Sequence, residues 1–255
     1  MEVFDRLLDD SGLLSPAVTA AAVLADRRTA QTAWYAGLLG AVVVPDTRLA
    51  ELSRAAVDEA PVEVSVVNTS GAGGLVALAR RGLPGLAPVA VESALRDFDD
   101  LAGNAARVVS AASELDPAIT VYVEIPPGPG SPAAVEVVEA AGLCARIRVT
   151  GPPAVPGLAE HLSLLIEADL PFKVTGGSGD LVGLLAAVEA LIDGADAREA
   201  EALLTLTDPV RLTAAARQWD AAARARIRRR VRRVDRPSIS AAAERLTALG
   251  LDAGG

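Results

Sequence analysis

The chain has 255 residues, of which 51% are hydrophobic and 22% charged, with a formal net charge of −9. That length suits one globular unit or two small ones; the apolar content excludes intrinsic disorder, and the lone Cys144 excludes a disulfide framework. No apolar run reaches the roughly 18 residues of a membrane span and the start MEVFDRLLDDSG is acidic, so the expectation is a cytoplasmic protein with no membrane partner.

Residues 1–39, rich in Ala and Leu, read as two helices, about 2–10 and 16–38, broken at Ser11-Gly12, and form a helical extension ahead of a main domain at 40–255. From Gly40 onward short β-branched runs take over: AVVVP (41–45), VEVSVVN (62–68), APVAVE (87–92), ITVYVEI (119–125), CARIRVT (144–150) and PFKVT (171–175). Between them lie helical patterns at 46–59, 74–82, 96–114, 131–141, 156–168 and 180–193. This alternation predicts βαβ units and a parallel sheet. The stretch 197–236 reads as helical, ending in RARIRRRVRRVDR, and 238–249 as a short strand and a last helix.

Strands of a doubly wound sheet are covered on both faces and tend to be apolar throughout, and these are not. Val121, Val123 and Ile125 oppose Thr120, Tyr122 and Glu124; Ala145, Ile147 and Val149 oppose Cys144, Arg146, Arg148 and Thr150. Likewise Phe172 and Val174 oppose Lys173 and Thr175, and Val89 and Val91 oppose Ala90 and Glu92. Since side chains alternate across a strand, each has an apolar and a polar face. An α/β fold of the (β/α)8 type, a TIM-like barrel, complete or irregular, places the apolar faces under the helices and turns the polar ones inward. Solvated edges of an antiparallel or open sheet are the competing reading.

In a barrel, Glu92, Glu124, Arg148 and Lys173 fall near strand ends, where such folds build their sites. Lys173 is the only lysine among 24 basic residues, and it precedes a turn formed by Gly176, Gly177, Ser178 and Gly179. Glycines admit close backbone approach and a following helix start favours an anion, although Asp180 would oppose one. Lys173 could form a Schiff base with a carbonyl substrate if burial or the neighbouring Arg146 and Arg148 depressed its pKa, with Glu124 moving protons. The plain alternative is a structural lysine paired with Glu92 or Glu124 across the barrel.

A second glycine-rich stretch, NTSGAGGLVALARRG (68–82), lies 21 residues before Glu92 when counted from Gly71, near the spacing of a dinucleotide-binding unit. Val76 at the third glycine position weakens that NAD(P)-binding alternative. His161 is the only histidine and, with Cys144, reads as a packing residue, so no zinc site is expected; Mg²⁺ held by Glu92, Glu124 and Asp46 stays open. The run from Arg224 to Arg236 holds eight arginines in 13 residues. Ile227, Val231 and Val234 form a stripe at helical spacing, which favours an amphipathic helix docked on an acidic body over a nucleic-acid surface.

The segments LLGAVVVPDTRLAEL, VYVEIP, GLCARIRVTG, VPGLAEHL, PFKVTGG and ISAAAERLTALGL resemble, in sequence and order over roughly 38–251, a family of uncharacterised actinobacterial proteins. In that family the fifth strand reads like AKxRTGG, the sixth like FKATAGLHHPVR, and the end like FGSCSFDEP before a helix. The resemblance implies a barrel-like fold and a site, and it supplies no reaction. Glu124, Arg148 and Lys173 match, as do Thr175 and Gly177. Arg146 stands where the family has lysine, Val149 interrupts the RTGG pattern, and Ser178, Gly179 and Asp180 replace the segment with the paired histidines; the cysteine near the end is absent.

The leading expectation is therefore a barrel that binds a small anionic metabolite at its carboxyl-end mouth. As an enzyme it would be a lyase or isomerase centred on Lys173, with Glu124 and Arg148 as partners. Arg146, Glu92, Thr175 and the 176–179 turn would bind the ligand, without an organic cofactor. The missing histidines make a catalytically inert scaffold or subunit the alternative. Homo-oligomerisation stays open.

Overall fold

The computed structural model describes residues 2–57, 60–149, 155–176 and 179–251, with the backbone alone at 155–156. Its strands are β1 (Leu8–Asp10), β2 (Leu39–Pro45), β3 (Val62–Asn68), β4 (Leu86–Ala94), β5 (Thr120–Glu124), β6 (Cys144–Val149), β7 (Phe172–Gly176) and β8 (Val231–Arg236). Each pairs in parallel with the next, and β8 pairs with β1, so the sheet closes into an eight-stranded barrel. The helices are α1 (Ala20–Gln31), α2 (Leu49–Ala55), α3 (Gly71–Ala79), α4 (Leu101–Ala112), α5 (Ser131–Ala140), α6 (Val155–Glu167), α7 (Leu181–Ile192), α8 (Ala197–Leu204), α9 (Pro209–Arg217), α10 (Ala221–Arg230) and α11 (Ile239–Ala248). This is the (β/α)8 barrel that the alternation predicts. Closure excludes both the open sheet and the Rossmann arrangement considered for residues 68–92.

The two faces of each strand part as their residue types require. Val42, Val44, Val64, Val66, Val91, Val121, Val123, Ala145, Ile147, Phe172 and Val174 are buried together with the helices in one continuous core. Burying each such aliphatic side chain contributes roughly 1.5–3 kcal/mol, less for alanine. Several helices start on an acid that satisfies otherwise unpaired backbone donors: Asp100 accepts from Gly103 N at 2.8 Å, Asp180 from Val182 N at 2.9 Å and Asp220 from Ala223 N at 2.7 Å. No helix among the described residues is long and apolar enough to cross a membrane.

Three expectations are corrected. Residues read as a helix at 2–10 contain β1, so the supposed helical extension supplies the strand that closes the barrel. The arginine run is helical only to Arg230; Val231–Arg236 is β8, and the stripe of Ile227, Val231 and Val234 is buried because a helix and a strand present these residues separately to the core. Finally, 238–249 holds α11 and no strand. The register between β7 and β8 shifts between Phe172 and Lys173, pairing Phe172 with Val231 and Lys173 with Arg233. That irregularity skips Arg232 and breaks the alternation that marks a strand.

Candidate functional site

Inside the barrel the polar faces meet. Register aligns Glu124 with Arg146 and Arg146 with Lys173, so three adjacent strands project charged side chains to the same side. Lys173 is fully buried, and its ammonium lies 2.7 Å from Asp9 Oδ2, 2.6 Å from Glu92 Oε1 and 2.8 Å from Asp235 Oδ1. Ser65 Oγ donates to the same Glu92 oxygen at 2.7 Å, and Ala41 N donates to Asp9 Oδ1 at 2.8 Å. The Tyr122 ring faces the ammonium at 5.8 Å.

From this cage a ladder of ion pairs climbs toward the carboxyl-end mouth. Arg146 is 2% exposed; its Nε stands 2.9 Å from Glu92 Oε2, close but without hydrogen-bond alignment, and its Nη1 donates to Glu124 Oε2 at 2.7 Å. Arg148 then grips Glu124 with two donors, Nε to Oε1 at 2.8 Å and Nη2 to Oε2 at 2.9 Å. Its side chain is 46% exposed, so the ladder ends in solvent.

The charges set one another's protonation. Burial alone would depress Lys173, but Asp9, Glu92 and Asp235 together hold it well above the ordinary lysine value. Burial would raise Glu92, but Lys173 and Arg146 outweigh that and keep its carboxyl below the usual range. Asp235 goes the other way: burial, with Glu92 and Asp9 adding to it against Lys173, pushes its carboxyl up to about 7. Neither Asp235 oxygen receives an aligned hydrogen bond from the described residues, which fits a group that holds its proton easily.

Of the residues singled out from sequence, Glu92, Glu124, Arg146, Arg148 and Lys173 converge. Arg146 and Arg148 engage carboxylates instead of crowding the lysine, and the condition for a nucleophilic amine, a depressed pKa, is not met. Thr175 is buried and donates to Ile147 O at 3.3 Å. Gly176 has φ +74°, and a Cβ there would come within 2.4 Å of Val149 O, so the turn needs glycine. Gly177 and Ser178 lie outside the described residues. Gly179 O accepts from Arg236 Nη2 at 3.1 Å. The helix start after the turn is already taken by Asp180, which caps α7 and pairs with Arg245 Nε at 2.7 Å.

Asp46 does not join Glu92 and Glu124. Its oxygens accept from Thr69 N at 2.9 Å and from the Thr69 and Ser70 hydroxyls. Among the described residues no group of three or more His, Cys, Asp or Glu side chains is arranged to hold a metal ion. His161 and Cys144 are buried, and burial lowers the imidazole and raises the thiol.

Sequence reasoning missed Asp9, Ser65 and Asp235, and Arg233, whose Nε stands 3.4 Å from Asp9 Oδ1. The one available signal was an acid, Asp235, standing inside a run of arginines. The sequence matches no family model, and the search of curated proteins returned no match.

Proposed function

We propose that the protein binds a small anionic metabolite at the carboxyl-end mouth of the barrel, with Arg148 as the contacting cation. The observation that carries this reading is the half-exposed Arg148 guanidinium at the top of a buried ladder. Two of its N–H groups are fixed by Glu124, and the remaining donors make no hydrogen bond to another described residue. A guanidinium oriented in advance by a carboxylate offers its free edge to a phosphate or carboxylate with little loss of side-chain entropy. Sites of such barrels lie at this end.

Lysine-dependent lyase chemistry fits less well, because a Schiff base needs a neutral amine and three carboxylates hold Lys173 as an ammonium. We assign Lys173 to anchoring the ladder. A thermal-shift screen with phosphorylated sugars and small carboxylates tests the proposal: the melting temperature rises with at least one class, and Arg148→Ala removes the rise. A response that persists in Arg148→Ala sinks it. The second reading, a barrel without turnover serving as scaffold, is favoured by the complete ion pairing of Lys173, and a flat response across the screen supports it.

A further inference from the structure

The opposite end of the barrel carries a different electrostatic feature. Arg228, near the end of α10, donates to backbone carbonyls only: Nη1 to Val231 O at 2.9 Å and to Arg232 O at 3.2 Å, and Nη2 to Asp5 O at 3.3 Å. Arg232 is exposed, and its charge acts on the buried Cys144 thiol, partly offsetting the rise that burial causes. Arg233 donates to Arg232 O at 3.2 Å and reaches Asp9 Oδ1 at 3.4 Å, an acid already engaged by Lys173. Among the described residues neither Arg228 nor Arg232 is ion-paired with a carboxylate. The neighbouring Arg6 is neutralised by Glu63, and Arg226 by Glu189 and Asp193.

We propose that the amino-end mouth of the barrel is a second anion site, in which Arg228, Arg232 and Arg233 take a small oxyanion of the phosphate class. In a chain of net charge −9, the Arg228 and Arg233 guanidiniums converging on the carbonyl of the exposed Arg232, with Arg233 to Asp9 the one carboxylate contact, are a local exception. Guanidinium forks suit tetrahedral oxyanions geometrically as well as electrostatically. Burial above all, and then the Arg233 and Arg232 charges, pushes the Arg228 guanidinium down to about 10; a bound anion would oppose the repulsive part.

This site is independent of Arg148, so the two proposals fail separately. Inorganic phosphate is titrated into the protein at constant ionic strength, followed by ³¹P NMR and by calorimetry. With Arg148→Ala in place to silence the carboxyl-end site, the protein still binds saturably; adding Arg232→Gln weakens binding about tenfold and adding Arg232→Glu abolishes it. Arg232 is exposed, so circular dichroism should show both variants folded. Absence of saturable binding in Arg148→Ala, or equal binding by the two Arg232 variants in that background, overturns the proposal.

Discussion

Lys173 Nζ donates to Asp9 Oδ2 at 2.7 Å although the two residues are 164 positions apart in the chain. With Glu92 and Asp235 completing the cage, the ammonium is the one cation touching all three of these buried acids. Lys173→Met leaves them facing each other without it. Removing one partner of a buried pair costs about 3–5 kcal/mol, so urea unfolding at neutral pH should show a loss of that size. Crowded acids without a cation hold protons tightly, so the variant recovers stability on acidification toward pH 5. An unchanged unfolding midpoint at neutral pH would contradict the cage.

Asp235 sets a pH dependence of definite sign. Its folded value of about 7 stands above the ordinary aspartate value of 3.8, so between those values the folded state binds more protons than the unfolded state. Its contribution is fully present below about pH 4 and is lost as pH rises through 7. His161 acts oppositely, since a lowered imidazole makes stability rise with pH toward its unfolded value. The difference between wild type and Asp235→Asn isolates the aspartate: wild type loses stability relative to the variant as pH goes from 4 to 7. Parallel melting curves over that range would rule out a raised Asp235.

Borohydride trapping separates an anchoring lysine from a catalytic one. With glyoxylate, pyruvate or small aldehydes near neutral pH, the folded protein should gain no reduced adduct at Lys173, whereas unfolded protein should. A mass increment mapped to Lys173 in folded protein would restore the lyase reading.

Arg146 and Arg148 share Glu124 and should still behave differently. Arg148→Ala removes a half-exposed partner and should cost no more than about 1 kcal/mol. Arg146→Ala leaves Glu92 and Glu124 without their buried bridge, and about 3–5 kcal/mol is expected. Equal losses in thermal unfolding would show that the ladder is not graded by burial.

The inward set was legible where strands were long enough to alternate. Thr120, Tyr122 and Glu124, then Cys144, Arg146 and Arg148, then Lys173 and Thr175 declare one polar face each, and all turn inward as parity demands. Asp9 was hidden because β1 has only three residues, too few to show a period, inside a Leu-rich stretch that imitates a helix. Asp235 was hidden by the irregularity at Arg232, which puts Val231 and Val234 three apart, a helical interval, within a strand. Of the glycine turn at 176–179, the described residues speak only for its two ends. Backbone geometry requires glycine at Gly176, and the helix start that follows already carries its own carboxylate, Asp180.

The cage also orders events in time. Asp9 belongs to the first strand and Asp235 to the last, so Lys173 cannot acquire its full set of counter-charges until nearly the whole chain has been synthesised and the ring has closed. Until then a nascent chain carries Lys173 with Glu92 as its only partner from the cage's middle strands. Long-range closure of this kind slows folding, and truncation before β8 should strand the lysine at the open seam of a seven-stranded sheet, making the last strand the step that commits the barrel to its final form.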